Sequence, residues 1–532
     1  MPTSPLSVAI AGGGIAGLYC ARELAQRGHR VTVFEQLPRI GGRIETLRMD
    51  GIDCECGPMR FELAIQPMLK QLADELRIQF SDFTPPAGEP VHATKYTLLK
   101  GELSRRQRDE AKTDGPDLTC SQHTTSLDLL RLGVYRMMHC PDHPQRPWDF
   151  DEVLEAKGAD GKNEVERYAD SLTDGHYDEI RTTVTLGGRR LHTMGLWNAL
   201  DYVLSSGAVA KIRDVGTFYH LIPENPSASE WAIFWLRLFR TDKALSTIRG
   251  EGGVSQIVTR LEQQLRSQRN VDIATGAEVI DVGPASVPER VELKVDYRDR
   301  DDVLPLEFDH VILALPKLPL SKLTRRFPSD IVKYIDAVNG FPLLKLFAVL
   351  TPPWWAGGAK PTAQHGAHLV PTREVHYDES LGAARPTGMV LLYTDRPANA
   401  YWTPYIQVPH QAAQVNTPVT LKRDLAAQLV ALKEQSETGS QESYRAQIDQ
   451  MEASIASFAI RDWSKPPFGA ASHAWMPGFN VPEAMDRLKA FSLVGQPGRD
   501  NIHICGEAYS DYQGFIEGSL RSAAKAIASI RD

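Results

Sequence analysis

Residues 6–35 read LSVAIAGGGIAGLYCARELAQRGHRVTVFE, and the order of parts in this stretch decides the fold. Residues 6–11 form a short apolar run of strand character. The run passes without a spacer into Gly12-Gly13-Gly14-Ile15-Ala16-Gly17, and Leu18 to Arg27 then carry helical apolar spacing that Gly28 closes. A second strand pattern, residues 30–34, ends on Glu35, eighteen residues past Gly17 and close to the ~20 at which a ribose-binding acid stands. The glycines serve separate ends. Gly12 permits a tight turn, Gly14 lets the backbone approach a pyrophosphate, and Gly17 lets helix and strand pack closely. Ile15 and Ala16 open a helix whose N-terminus faces phosphate, and Glu35, followed by Gln36, meets a ribose. Strand, loop, helix, strand and acid together predict a dinucleotide-binding unit.

Pro38-Arg39-Ile40-Gly41-Gly42-Arg43-Ile44 follows the acid. This GGR pattern resembles the flavin-dependent amine oxidase superfamily, in which the arginine sits on the FAD pyrophosphate. The resemblance implies FAD as cofactor, with Gly42 and Arg43 among its contacts. At the other end of the chain, a strand pattern over residues 501–505 leads into Gly506-Glu507, a polar loop, Gly514-Phe515-Ile516-Glu517-Gly518-Ser519 and a final helix over 520–530. It resembles the family's closing segment, which implies that Glu507 holds the ribityl chain and that Phe515, Ile516 and Ser519 stand at the flavin. A helix N-terminus there suits the negative charge of a reduced flavin. Between the ends, Gly276-Ala277-Glu278-Val279-Ile280 resembles the family's adenine contact, made by the Val279 backbone, and residues 308–316 (FDHVILALP) resemble its returning strand. The expected architecture is α/β (mixed α+β). A discontinuous Rossmann-like FAD domain covers 1–62, 239–325 and 456–532, a substrate domain on a mixed sheet covers 63–104 and 326–455, and a helical region covers 105–238.

A few positions bear on the substrate. Glu55-Cys56-Gly57-Pro58-Met59-Arg60-Phe61 resembles the GPMR or GAMR segment of L-amino-acid oxidases and related tryptophan monooxygenases, where the arginine clamps the substrate carboxylate. A guanidinium offers two parallel donors that match a carboxylate, so Arg60 would select amino acids and fix Cα–H toward the flavin. A structural ion pair, or an arginine aimed at the FAD phosphates, remains open for Arg60, and Gly57 and Met59 are counted with the cofactor contacts. Gly388-Met-Val-Leu-Leu-Tyr393 resembles the strand whose tyrosine makes a second carboxylate contact. Lys345 stands alone in an apolar strand pattern, where an unpaired ammonium is costly to bury. The resemblance assigns it to a water beside flavin N5; an edge strand with the lysine in solvent is the alternative. Trp475, Gly514 and Phe515 are expected pocket walls, while His473 and His220 are left out of catalysis. Residues 463–478 hold no cysteine, so FAD is expected to be noncovalent.

Length and composition agree with a soluble globular protein of two or three domains. The chain has 532 residues, 42% hydrophobic and 24% charged, with a formal net charge of −8 that gives no field for nucleic acid. No run is long enough to span a membrane, no signal peptide is evident, and no metal site is expected. Six scattered cysteines read as reduced thiols and the compartment as cytoplasmic; a homodimer is a possible assembly. The polar stretch 433–442 reads as a solvated loop. The resemblance implies an L-amino-acid oxidase that passes hydride to flavin N5 and yields a 2-oxo acid, ammonia and hydrogen peroxide with O2 as acceptor. An amino-acid 2-monooxygenase giving an amide, and a non-catalytic binding protein on the same scaffold, are the alternatives. Asp511 and Glu517 lie near the expected site, where a pocket-facing acid would favour a basic side chain and aromatic walls an aromatic one.

Overall fold

The computed structural model describes residues 5–83, 95–99, 102–106, 125–139, 153–154, 156–215, 225–241, 244–300, 302–356, 360–361, 364–365, 371–380, 386–396, 398–407, 412–436, 443–495 and 499–530. Cys120, Cys140, His220 and residues 437–442 of the polar stretch lie outside them.

Five parallel strands form the first sheet, in the order Val271–Thr275, Arg30–Glu35, Ser7–Ala11, His310–Leu313 and Ile502–Ile504. Val8, Ile10, Val31 and Val33 face the helices Ile15–Gln26 and Ile516–Ser529, while Ala9, Phe34, Val311 and Leu313 pack against a three-stranded antiparallel sheet over 277–308. Burial on both faces explains why these strands read as continuous apolar runs. Gly17 allows the close packing expected of it, since a Cβ there would come within 2.0 Å of the Gly12 carbonyl oxygen. Gly12 itself has φ +104, a left-handed backbone that a side chain would strain. The closing helix begins at Ile516, four residues before its expected start, so its first turn reaches the carboxyl edge of the sheet.

A six-stranded antiparallel sheet has the order Gln364–His365, Glu374–Ser380, Thr387–Thr394, Leu344–Leu350, Ile455–Asp462 and Gln414–Val415. Its central strand is buried on both sides. Leu344, Leu346, Ala348 and Leu350 meet the core under helix Val419–Ser436, and Phe347 and Val349 meet a second core on the other face. The helix runs into the polar stretch expected as a loop, as far as Ser436. The expected boundary at 456 falls inside strand Ile455–Asp462, which pairs in this sheet. Helices Ser126–His139, Glu164–Ser171, Asp174–Thr182, Leu196–Val203, Ser206–Val215 and Ala228–Phe239 share a third core.

Candidate active site

A cavity of about 330 Å³ opens along the carboxyl edge of the parallel sheet and runs to the six-stranded sheet. Ala11, Glu35, Ala314 and Gly506, at or just past the ends of four parallel strands, all line it, the position at which open α/β sheets take their ligands.

The first end of the cavity has the chemistry of a dinucleotide site. Gly12, Gly14, Ile15 and Ala16 line it with backbone at a helix start, and Gly42 packs against Gly14 so closely that a Cβ on Gly42 would stand 3.2 Å from the Gly14 Cα. Glu35 accepts the Gly13 and Leu37 N–H groups at 2.8 Å each, and burial raises its pKa. Gln36 donates to Glu278 at 2.8 Å, tying the acid's strand end to the strand on which Val279 also lines the cavity. A backbone cradle at a helix N-terminus, with an acid one strand away, fits an adenosine diphosphate.

Arg43 and Glu507 stand together farther along, with Arg43 Nη1 donating to Glu507 Oε2 at 2.9 Å and to the Ala471 carbonyl at 2.6 Å. Glu507 also accepts the His473 N–H (2.9 Å), His473 Nδ1 (2.9 Å) and the Gly514 N–H (2.8 Å). Burial alone would raise the pKa of Glu507, but Arg43, His473 and these donors hold it at about 2. Glu507 therefore stays ionised and fixes the loop that carries Gly514 and Phe515. His473, left aside in the sequence, is a buried part of this network, and burial lowers its pKa. Only its two-residue spacing from Trp475 in one strand pattern, which turns both side chains to the same face, could have flagged it. Gly57, Gly514, Phe515, Ile516 and Ser519 also line the cavity.

The second end belongs to the six-stranded sheet. Arg461, Lys345, Tyr393 and Glu374 are direct cross-strand partners in sequence, and residues paired in this way share one face. Lys345 is 2% exposed on the central strand, which excludes the edge-strand alternative. Its ammonium donates to the carbonyls of Glu55 (2.8 Å) and Gly57 (2.6 Å) and stands 4.9 Å from the Tyr393 ring centroid. Burial lowers its pKa to about 8, with the charge of Arg60 adding to that effect. Lys345 and Tyr393 both line the cavity.

Four expected contacts lie elsewhere. Trp475 is a core residue, 0% exposed, with its indole N–H donated to the Ser510 carbonyl at 2.9 Å, so it forms no cavity wall. Met59 packs with Cys54 and Cys56 under the six-stranded sheet, and Gly17 serves helix packing. Arg60 is absent from the cavity lining in its described conformation, because Nη1 pairs with Glu374 Oε1 at 2.9 Å. The two acids near the site are also committed. Asp511 accepts Arg521 Nε and Nη2 at 2.9 and 2.8 Å, and Glu517 caps helix Pro67–Glu75 through the Met68 and Leu69 N–H groups. Neither offers a carboxylate to a basic side chain. Phe515 instead borders aromatic rings, Tyr512 at 5.2 Å and Phe234 at 6.1 Å between centroids.

A family model described as flavin containing amine oxidoreductase matches residues 15–530. Aplysianin-A of Aplysia kurodai is 21% identical over 541 residues, covering 97% of this chain and 89% of that protein. Achacin of Lissachatina fulica is 23% identical over 547 residues, covering 98% and 91%. Among solved structures, putrescine oxidase bound to putrescine superposes with a TM-score of 0.60 at 18% identity, covering 98% of both chains. Cyclohexylamine oxidase from Brevibacterium oxydans gives a TM-score of 0.60 at 16% identity with the same coverage. At such identities the two structures speak for the fold.

FAD is the cofactor of this cavity. Cys56 is the cysteine that lines it among the described residues, and burial pushes its thiol pKa far up, away from the nucleophilic thiolate. Acid precipitation is therefore expected to leave a colourless pellet and a yellow supernatant. A flavin-bearing peptide in mass spectrometry would contradict noncovalent binding.

Proposed function

Because the chain belongs to the flavin-containing amine oxidoreductases, we propose that it is an L-amino-acid oxidase. It takes a small-molecule amine as substrate and O2 as electron acceptor. The finer reading is that the amine is an L-amino acid, oxidised at Cα to an imino acid that water converts to a 2-oxo acid and ammonia. Two protons and two electrons leave the substrate, and oxygen takes them up as hydrogen peroxide. When bound, FAD supplies the electron transfer between the two half-reactions.

The observation that carries this reading is the position of Arg60. It follows Gly57 and Pro58 of the cavity wall, and its partner Glu374 lies opposite Tyr393 in the sheet, beside Lys345. The Tyr393 phenol thus stands at one end of the cavity, with the Arg60 guanidinium held next to that end by Glu374, within reach of a substrate carboxylate that would find directed donors there. Arg60 and Tyr393 orient the substrate, and the apolar walls exclude water. The Arg60–Glu374 pair also favours a second reading, in which the arginine is structural and the substrate is a simple amine without a carboxylate.

An oxygen-electrode screen of the standard L-amino acids, with product analysis, tests the proposal. Uptake with ammonia, peroxide and a 2-oxo acid is the expected result, and an amide product would assign a monooxygenase instead. The four described cysteines are free and buried, which supports a reducing, cytoplasmic compartment. Among the described residues no helix is long and apolar enough to cross a membrane.

A further inference from the structure

The described conformation turns Arg60 away from the cavity that its neighbours line. Its Nη1 lies 2.9 Å from Glu374 Oε1, and the same oxygen takes His376 Nε2 at 2.5 Å. Glu374 is 0% exposed, whereas the Arg60 side chain keeps 18% of its surface open. The partner that cannot move is therefore the carboxylate. It is fixed on strand Glu374–Ser380 in the same cross-strand row as Tyr393 and Lys345.

The geometry points to Glu374 as a specificity-determining residue: it is a built-in counter-ion that competes with the substrate's carboxylate for Arg60. This rests on the reading of Arg60 as the carboxylate clamp. A buried carboxylate stripped of its partner is costly, so Glu374 does not release Arg60 freely. An incoming carboxylate has to share the guanidinium with an anion already in place, and like charges this close repel strongly where water is excluded. Glu374 thus lowers the affinity for amino acids, and it narrows the gap between an amino acid and the amine left by its decarboxylation. His376 moderates the effect by drawing on the same oxygen. The acid acts through Arg60, without touching the reacting atoms.

Glu374→Gln keeps the side chain's shape and an acceptor for Arg60 while removing the charge. KM for a good L-amino acid is expected to fall on the order of tenfold with kcat little changed, and the preference for that amino acid over its decarboxylated amine to rise by a similar factor. Glu374→Asp, which keeps the charge, is expected to leave that preference within about twofold of wild type, separating charge from packing. Where Glu374→Gln does not retain its flavin, His376→Phe, which keeps a ring without an N–H donor, is read instead. Withdrawing this donor leaves more of the carboxylate charge on Arg60, so KM for the amino acid should rise severalfold.

An unchanged or higher KM in flavin-loaded Glu374→Gln, or an unchanged KM in His376→Phe where that variant is used, overturns the inference. Arg60→Ala distinguishes the two levels of failure. If it leaves amino-acid KM and preference untouched, the clamp reading falls and this inference with it. If it impairs both while Glu374→Gln lowers neither KM nor the amine share, only the role of Glu374 is lost.

Discussion

Lys345→Met is expected to slow the oxygen half of the catalytic cycle on the order of a hundredfold while leaving substrate KM near wild type. The lysine is buried on the central strand, lines the cavity, and commits two of its three N–H groups to the carbonyls of Glu55 and Gly57. Its third donor and its charge remain for the cavity. Electrons that pass to oxygen build negative charge in a water-poor space, where a fixed cation stabilises far more than in bulk solvent. Methionine fills nearly the same volume without the charge, at the cost of leaving the Glu55 and Gly57 carbonyls without this donor, so the variant is read only where it retains its flavin. The pH dependence has a definite sign. With its pKa lowered to about 8, Lys345 is cationic below that pH and loses the charge as pH rises through it. The oxygen half should therefore slow above about pH 8 in the wild type and lose that step in Lys345→Met. Stopped-flow traces separate the two half-reactions; wild-type rates in both would make the lysine structural.

Arg60→Ala is expected to lower kcat/KM for L-amino acids by on the order of tenfold to a few hundredfold. A charge-assisted hydrogen bond contributes roughly 1.5–3 kcal/mol, and loss of a bidentate contact also lets the substrate tilt. Arg60→Lys should recover only part of this, since an ammonium lacks the planar fork. Glu374 keeps His376 as a partner in the alanine variant, which limits the cost to the fold. Turnover of the matching decarboxylated amine, slow in the wild type, should barely respond. If the variant stays yellow and oxidises amino acids as the wild type does, Arg60 is only the ion-pair partner of Glu374.

What the sequence made legible was local. The glycine loop, Glu35 and Gly42-Arg43 each declare themselves within a few residues, because a tight turn, a helix start and an acid at fixed spacing are short-range demands. The closing segment was equally readable, although its helix starts at Ile516 because the apolar face continues to that residue. The row of Arg461, Lys345, Tyr393 and Glu374 was not readable, since it comes from the register of strands far apart in the chain. Only Lys345 and Tyr393 stood out, one as a charge in an apolar run and the other by resemblance. Trp475 was not readable for a related reason: an aromatic in a short strand suits a wall or a core equally well, and its indole N–H to the Ser510 carbonyl places it in the core. Glu517 caps a helix through the N–H of Leu69, 448 residues away in the chain, a pairing that no local pattern announces.

On the proposed reading, this cavity selects a carboxylate-bearing amine. The most direct test is anaerobic mixing of the wild-type holoenzyme with an L-amino acid and, separately, with the amine formed by removing that amino acid's carboxylate, the loss of yellow colour being followed in time. Bleaching at least about tenfold faster with the amino acid at equal concentration is the predicted result. Equal or faster bleaching with the amine, across apolar, aromatic and basic side chains, would contradict the claim and leave a simple-amine oxidase.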